Sequence, residues 1–421
     1  MKASFDYAVR YEIAAACRTP MRTADAQGNT EAVLRSPDGS YFIQGSSICG
    51  AFREWVRQNE PKGTDESLFG GQKKAGSLIF SDAVFSDSAE LTLRPRLRID
   101  GKTGSAFDGG KFDIAHIATG AELLFTVTWL GCQSRLSETE AAERMLAALD
   151  RGDILLGAQK TNGFGRVSLS VKKREFDLST PAGRESWLED QPSGAELNLA
   201  ELHSPKQVAF RLRGMAGHLL VKDAAAEQTD GGSYTPNLSE AGYPVIPGSS
   251  VKGVVRARAE LIAGYMGLPK DLTEGLFGRM SSNEDNGRPG RVRFEDVVFQ
   301  APRRQKISRI RINRLTGGVI RGGLFCEEPV SGEVAVNIAA PAEDRAGCML
   351  LLYALRDLAL GLYGIGSGSA VGRGILDISE LQARLPDGRG LTLRFDEARR
   401  CEVSDPDGII PEWYGAWEAV K

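Results

Sequence analysis

The sequence predicts an α+β protein made of two tandem ferredoxin-like domains, and three observations lead there. The chain has 421 residues, more than one core usually holds and enough for two of roughly 200 residues each. Four sequence blocks occur twice in the same order, as a duplicated domain would show them. Within each copy the apolar pattern runs strand, helix, strands, helix, strand, which is the ferredoxin-like order.

The first block is a turn of small residues that opens a helix. Gly45, Ser46, Ser47, Gly50 and Arg53 in "YFIQGSSICGAFREW" match Gly248, Ser249, Ser250, Gly253 and Arg256 in "PVIPGSSVKGVVRAR". The second pairs "LFGGQKKAGSLIFSDAVF" (68–85) with "LFGRMSSNEDNGRPGRVRFEDVVF" (276–299). The third pairs "RIDGKTGSAFDGGKF" (98–112) with "RINRLTGGVIRGGLF" (311–325), and the fourth "LLGAQKTNGFGRVSLS" (155–170) with "LYGIGSGSAVGRGILD" (362–377).

Each repeat opens with a strand (7–16 and 208–213) and a long Gly/Asp/Ser-rich loop. The GSS turn then leads into an amphipathic helix (48–57 and 251–263). Serines at its start are good caps, and the free N–H groups and positive dipole end make an anion site. Arg53 or Arg256 would follow one turn on, on the same side. Strand-rich segments follow (77–85 and 291–299; 123–129 and 333–338), then a second helix (138–150 and 346–362) and a glycine-rich turn into a last strand. The polar stretch 174–205, with Pro, Ser and Gly, reads as the join. The expected layout is a first module over 1–175, a linker over 176–205, a second module over 206–377 and a C-terminal extension over 378–421. Trp413 and Trp417 in that extension read as packing or a subunit contact.

Composition narrows the function. Forty-nine glycines point to many tight turns, so loops are expected to carry the chemistry. A net charge of -3 argues against wholesale attraction to nucleic acid, yet "RRQKISRIRINR" (303–314) is strongly basic and "RPRLRID" (94–100) is its smaller counterpart. A strand there would line up Arg309, Arg311 and Arg314 against a phosphate backbone, or else form a solvated edge. Six cysteines without a CxxC pair make neither a disulfide framework nor a zinc-thiolate site. Three histidines without ligand spacing give a weak case for acid–base cleavage. The N-terminus lacks a secretory layout and no apolar run spans a bilayer, so a cytoplasmic protein is expected.

The turns "NGFGRV" and "GSGSAVGRG" lack a P-loop pattern, and the second follows a helix rather than a strand, the reverse of a dinucleotide fingerprint. They read either as tight turns or as RNA-backbone contacts, with Arg166 and Arg373 each directly after the last shared glycine. The loops ahead of the GSS turns hold acidic residues: Asp25, with Glu31 and Asp38, and Asp223 and Asp230. An Asp in such a loop is most often a turn former.

Taken in order, "IPGSSVKGVVR", "LFG…GRVRFEDVVF", "RINRLTGGVIRGGLF" and "GSGSAVGRG" resemble the RAMP (repeat-associated mysterious protein) superfamily, which forms the backbone of type III CRISPR effector complexes. The resemblance covers nearly all of both halves. In the first half Gln44 stands for the family's proline and Cys49 for the lysine that the second half keeps as Lys252. It implies two backbone modules fused in a type III-D-like manner, each RRM-like with a β-hairpin thumb. Guide RNA, target RNA and other effector subunits are the partners implied, with Ser46, Ser47, Arg53, Arg166, Ser249, Ser250, Lys252, Arg256, Arg309, Arg311, Arg314 and Arg373 touching RNA.

The resemblance further implies an endoribonuclease that cuts target RNA with Mg²⁺ or another divalent metal. The metal-binding, catalytic role falls on Asp25 and Asp230, with Asp223 the alternate for the second. A non-catalytic backbone subunit, a guide-processing endoribonuclease and a scaffold that does not touch RNA are the competing readings.

Overall fold

The computed structural model describes residues 5–23, 32–100, 103, 105–189, 194–202, 206–223, 227–229, 232–279 and 286–421. The chain divides into two compact units. One comprises Met1–Leu93, Ile114–Lys160 and Phe164–Pro205, the other Arg94–Asp113, Thr161–Gly163 and Lys206–Lys421. The second unit therefore takes in two pieces of the first repeat: most of a hairpin and the tip of the glycine-rich turn.

The first unit is built from β1 (Tyr7–Cys17), β2 (Phe42–Ile43), α1 (Gly45–Asn59), α2 (Thr64–Phe69), β3 (Leu78–Phe80) and β4 (Ala83–Phe85). A hairpin follows, β5 (Leu91–Ile99) and β6 (Ala106–Ile117), and then β7 (Glu122–Gly131), α3 (Glu138–Arg151) and β8 (Val167–Asp177). After it come α4 (Pro181–Glu189) and β9 (Ala195–Glu196). The sheet order is β9-β8-β1-β7-β4-β2, with β3 also on β7. β8, β1 and β7 thus lie side by side and antiparallel, the ferredoxin-like arrangement.

Alternation makes β1 amphipathic. Val9, Tyr11, Ile13, Ala15 and Cys17 are buried on one face, against Ile48, Phe52 and Val56 at helical spacing on α1 and Met145, Leu146 and Leu149 on α3. Each buried Val, Ile, Leu, Phe or Met among them contributes about 1.5–3 kcal/mol by leaving water. Residues 176–205, expected as a linker, carry regular structure. β9 pairs with β8, and Trp187 of α4 stacks edge-on against Phe176 at 5.1 Å, under the Arg10 guanidinium at 4.4 Å.

The second unit repeats the plan with β10 (Gln207–Leu219), β11 (Tyr243–Ile246), α5 (Gly248–Met266), α6 (Lys270–Phe277), β12 (Arg293–Phe294), β13 (Val297–Val298) and β14 (Gln300–Arg304). Next come the hairpin β15 (Ile307–Ile312) and β16 (Val319–Glu327), then β17 (Val330–Pro341), α7 (Arg345–Ala359) and β18 (Leu376–Arg384). Its sheet runs β12-β17-β10-β18 and continues into β19 (Gly390–Phe395) and β20 (Cys401–Ser404). The boundary expected at 377 thus falls inside β18. The C-terminal extension belongs to this core: α8 (Ile409–Glu418) buries Ile409, Trp413 and Trp417 completely or nearly so.

Candidate nucleic-acid interface

Both GSS motifs begin a helix, but the serines do not cap it. Gly45 and Gly248 are the first helical residues, so Ser46, Ser47, Ser249 and Ser250 lie inside the first turn with helical backbone, and no side chain at the cap residues Gln44 and Pro247 makes a capping bond. The cap comes from elsewhere in the repeat. Gly45 N donates to Asp82 Oδ1 at 2.7 Å, and Gly248 N donates to Asp296 Oδ1 at 2.7 Å. A carboxylate at a helix start satisfies an orphan donor and meets the positive end of the dipole. The signal was present in the second block, where "SDAVF" and "EDVVF" share the aspartate. The part of the expected anion site nearest the first N–H is therefore occupied by the protein's own acid.

In the second unit that acid is itself paired. Arg94, 1% exposed, donates to Asp296 Oδ2 at 2.7 Å and to Glu240 Oε2 at 2.9 Å. Such a guanidinium between two carboxylates is a buried pair whose geometry must offset a large desolvation cost. Burial and the Arg94 charge push Arg96 down to about 10. Lys252, one turn into α5, donates from Nζ to Thr161 Oγ1 at 2.9 Å. Burial, and then Arg256, push Lys252 down to about 8. Backbone packing is tight here: a Cβ on Gly248 would lie 2.2 Å from the Phe294 carbonyl oxygen and 2.8 Å from that of Asn162.

The two motif arginines turn away from the helix start. Arg53 donates to the Gly70 carbonyl at 2.8 Å and approaches Asp65 at 3.9 Å, while Arg256 pairs with Glu260 at 2.7 Å along the same helix. Ser46 and Ser47 are exposed; Ser249 and Ser250 are half-buried.

The glycine-rich turns correspond, but in a different register from the one their GR dipeptides suggest. Leu156 N donates to Gly165 O at 2.9 Å, and Ile365 N donates to Gly374 O at 2.8 Å. Gly165 and Gly374 both have positive φ, and a Cβ on either would stand 2.0 Å from the Leu156 or Ile365 oxygen. Gly165 therefore matches Gly374, not Gly372. Arg166 stands where the second repeat has Ile375, and Arg373 where the first has Phe164. The same register pairs Ala158 N on Arg22 O with Ser367 N on Leu220 O. Counted along the chain from Arg22 and Leu220, Asp25 falls opposite Asp223.

The exchange at Arg373 has a partner. Phe164 is fully buried beside His116 at 5.4 Å, whereas Arg373 Nη1 reaches Glu327 Oε2 at 2.8 Å. Glu327, 2% exposed, also takes Lys222 at 3.0 Å and the Arg309 guanidinium. Burial works to raise the Glu327 carboxyl, but the bonds from Lys222, Arg309 and Arg373 outweigh it and hold it below its ordinary value. This node ties hairpin β15–β16, the glycine turn and the loop that starts at Lys222.

The basic stretch 303–314 is not one strand. β14 joins the main sheet and β15 the hairpin, and a register shift between Ile310 and Ile312 disturbs the alternation at Arg311. Arg309 accordingly points to Glu327, while Arg311 and Arg314 are exposed and have no ion pair among the described residues. Around them Ile310, Ile312, Leu315, Val319 and Leu324 are each more than half exposed. The hairpin also bears Gly232–Thr235, paired in parallel at Tyr234↔Cys326, and Glu227–Thr229 beyond it.

Asp25, Asp230 and Glu31 lie outside the described residues. Asp38 is an exposed turn former, its Oδ1 accepting from Ser40 N at 3.0 Å. Asp223 is half-buried, its N–H donating to Pro236 O at 3.2 Å. Among the described residues no group of three or more His, Cys, Asp or Glu is placed to hold a metal ion, and no helix is long and apolar enough to cross a membrane. His116 is buried with Nε2 3.0 Å from Thr92 Oγ1, His218 is exposed, and His203 lies outside the described residues.

A family model described as the RAMP superfamily matches residues 15–168 and 231–377. No curated protein matches the chain.

Proposed function

Because this chain belongs to the RAMP superfamily over both of its repeats, we propose that it is the tandem backbone subunit of a type III CRISPR effector complex, holding guide RNA and cutting target RNA. Membership supports a CRISPR-associated RNA-binding module in each repeat.

The observation that carries the guide-binding reading is the second hairpin. It presents Arg311 and Arg314, exposed, among exposed aliphatic side chains. Cations follow a phosphate backbone while apolar groups contact bases, so an RNA strand or duplex is the natural ligand. Ser249 and Ser250 at the start of α5, with Lys252 beside them, offer further donors to phosphate. Contacts of this kind position RNA without reading sequence, which base pairing with the guide would supply.

Cleavage is proposed to use Asp25 in the first module and Asp230 in the second, with Asp223 the alternate favoured by the glycine-turn register. A lone carboxylate fits a Mg²⁺ ion whose remaining ligands are phosphate oxygens and water, the usual manner for that ion. When bound, the ion would stabilise the charge that develops on the phosphate. The aspartate would orient the 2′-hydroxyl of a splayed target nucleotide for attack on the adjacent phosphorus, the P–O5′ bond breaking as the O2′–P bond forms, so that the 2′-hydroxyl gives up its proton and the departing 5′-oxygen gains one, leaving a 2′,3′-cyclic phosphate and a 5′-hydroxyl.

Photo-crosslinking of guide RNA within the assembled complex tests the binding reading. Peptides containing Lys252, Arg311 or Arg314 are expected among the products. Guide RNA that crosslinks only to other subunits would refute it.

A further inference from the structure

We propose that Glu327 is a positioning residue: it fastens the loop before α5 to the base of the second hairpin, so that RNA seated on the hairpin also sets the loop in which Asp223 and Asp230 fall. The proposal rests on the RNA reading of that hairpin and concerns the second module alone.

The loop is held at three points along its length. At its start Lys222 Nζ meets Glu327 Oε1 at 3.0 Å, one residue before Asp223. In its middle Tyr234 and Thr235 pair in parallel with Cys326 and Glu327. There Glu328 N donates to Thr235 O at 2.9 Å, and the Lys306 ammonium stands 3.8 Å from the centre of the Tyr234 ring. At its end the Arg304 guanidinium reaches Glu328 at 3.3 Å, Ser239 Oγ at 3.2 Å and the Gly242 carbonyl at 3.3 Å, just ahead of β11.

The basic stretch 303–314 therefore has two jobs. Arg304, Lys306 and Arg309 turn toward the loop and the acids beside it, whereas Arg311 and Arg314 are exposed farther along the hairpin. Among the inward contacts Glu327 is the joint. It is 2% exposed and takes Arg309 from the hairpin, Lys222 from the loop and Arg373 from the glycine turn. Parting hairpin from loop removes a cation from a buried carboxylate, which is costly, while the exposed Arg304 and Lys306 contacts are weak by comparison.

The first repeat is built otherwise. Ile114 and Phe164, buried and apolar, stand where the second has Glu327 and Arg373. Among the described residues its hairpin β5–β6 is a sheet of two strands, whereas β15–β16 carries Gly232–Thr235 and Glu227–Thr229 of the loop in a sheet of four. A shift of the second hairpin is thus passed to its loop through both backbone pairing and the ion-pair joint.

The test variant is Lys222→Met, which cuts the tie at the start of the loop and alters a half-exposed side chain. Amide hydrogen exchange of the full chain without RNA is read first. In the wild type, residues 232–235 and 307–312 are expected to open together as one cooperative unit. In Lys222→Met, residues 232–235 should exchange about tenfold faster, the scale of one charge-assisted bond lost, while 307–312 keep their protection. Separate opening in the wild type, or joint opening kept in the variant, overturns the proposal. Added guide RNA should slow exchange at 232–235 in the wild type but not in the variant. RNA that protects the hairpin and leaves 232–235 unchanged also overturns it, whereas RNA that protects neither refutes the guide-binding reading and leaves the RNA-free comparison to decide.

Cutting supplies the readout that a purely structural role would not move. In the guide-loaded complex with Mg²⁺, the ratio of the second module's cut to the first's is expected to fall about tenfold in Lys222→Met, a usual size for coupling between two sites, and to recover in Lys222→Arg. The ratio is independent of guide loading, so an unchanged ratio removes Glu327 from positioning. Absence of both cuts in the wild type counts against the cleavage reading, and the exchange experiment still decides whether the loop follows the hairpin.

Discussion

Arg373 and Glu327 meet at 2.8 Å, both nearly out of solvent, at positions where the first repeat packs Phe164 and Ile114, each buried and apolar. One fold has thus solved the same interior corner twice, once by apolar packing and once by an ion pair that recruits Lys222 and Arg309. Removing one side of a buried pair leaves a charge without compensation, whereas replacing both is often close to neutral. Glu327→Ala is expected to destabilise the second unit by about 3–5 kcal/mol. Glu327→Ile with Arg373→Phe should cost clearly less, because Lys222 and Arg309 retain access to water. Denaturant unfolding of the three proteins checks this, and equal losses in both variants would contradict it.

The register of the glycine turns makes a sharper claim. Gly372 has φ of 82° and open space within 4 Å of where a Cβ would stand, while Gly374 has φ of 76° and faces the Ile365 oxygen at 2.0 Å. Gly372→Ala should cost about 1 kcal/mol from left-handed strain alone. Gly374→Ala should cost distinctly more, because backbone must shift as well, and Gly165→Ala should behave like it. If Gly372→Ala proved the more damaging, Gly165 would have been matched to the wrong glycine.

Lys252 gives a pH dependence. Its folded value of about 8 lies below the ordinary lysine value of 10.5. Between the two the unfolded chain holds a proton that the folded chain has released, so this group makes stability rise with pH across that window and leaves it flat below. RNA binding should run the other way. A phosphate beside Lys252 favours the charged form, so affinity for guide RNA is expected to fall from pH 7 to 9. Binding measured at several pH values should lose that slope in Lys252→Met.

Arg311 and Arg314 are the cleanest electrostatic probes, because Arg309 is also committed to Glu327. Arg311→Ala with Arg314→Ala should leave unfolding unchanged and weaken guide RNA binding. The salt dependence should become shallower by about 0.7 in log–log slope for each phosphate of a single strand that is no longer neutralised. An unchanged slope would remove these residues from the interface.

Much of the fold was legible because duplication shows in sequence wherever both copies keep the same local chemistry. The helix after each GSS turn and the strand that opens each repeat lie where apolar spacing put them. What escaped had physical causes. The serines looked like caps because they precede an apolar helix, but the helix starts at the glycine, and the acceptors are Asp82 and Asp296, far along the chain. The GR dipeptides invited a pairing of Arg166 with Arg373, whereas the feature both repeats share is a glycine against a carbonyl oxygen, which letters do not record. Arg94 read as part of the smaller basic stretch 94–100. Its burial depends on Glu240 and Asp296, a long-range arrangement that no local pattern reveals.

The proposed cleavage is tested most directly by target-RNA cutting in the guide-loaded complex with Mg²⁺, comparing wild type with Asp25→Ala and Asp230→Ala separately, and with Asp223→Ala beside the second. The account predicts that Asp25→Ala abolishes one cut, and that Asp230→Ala or its alternate abolishes another, with guide binding unchanged. A full set of cuts in all three variants would contradict it and leave this chain as a subunit that holds the RNA while others cut.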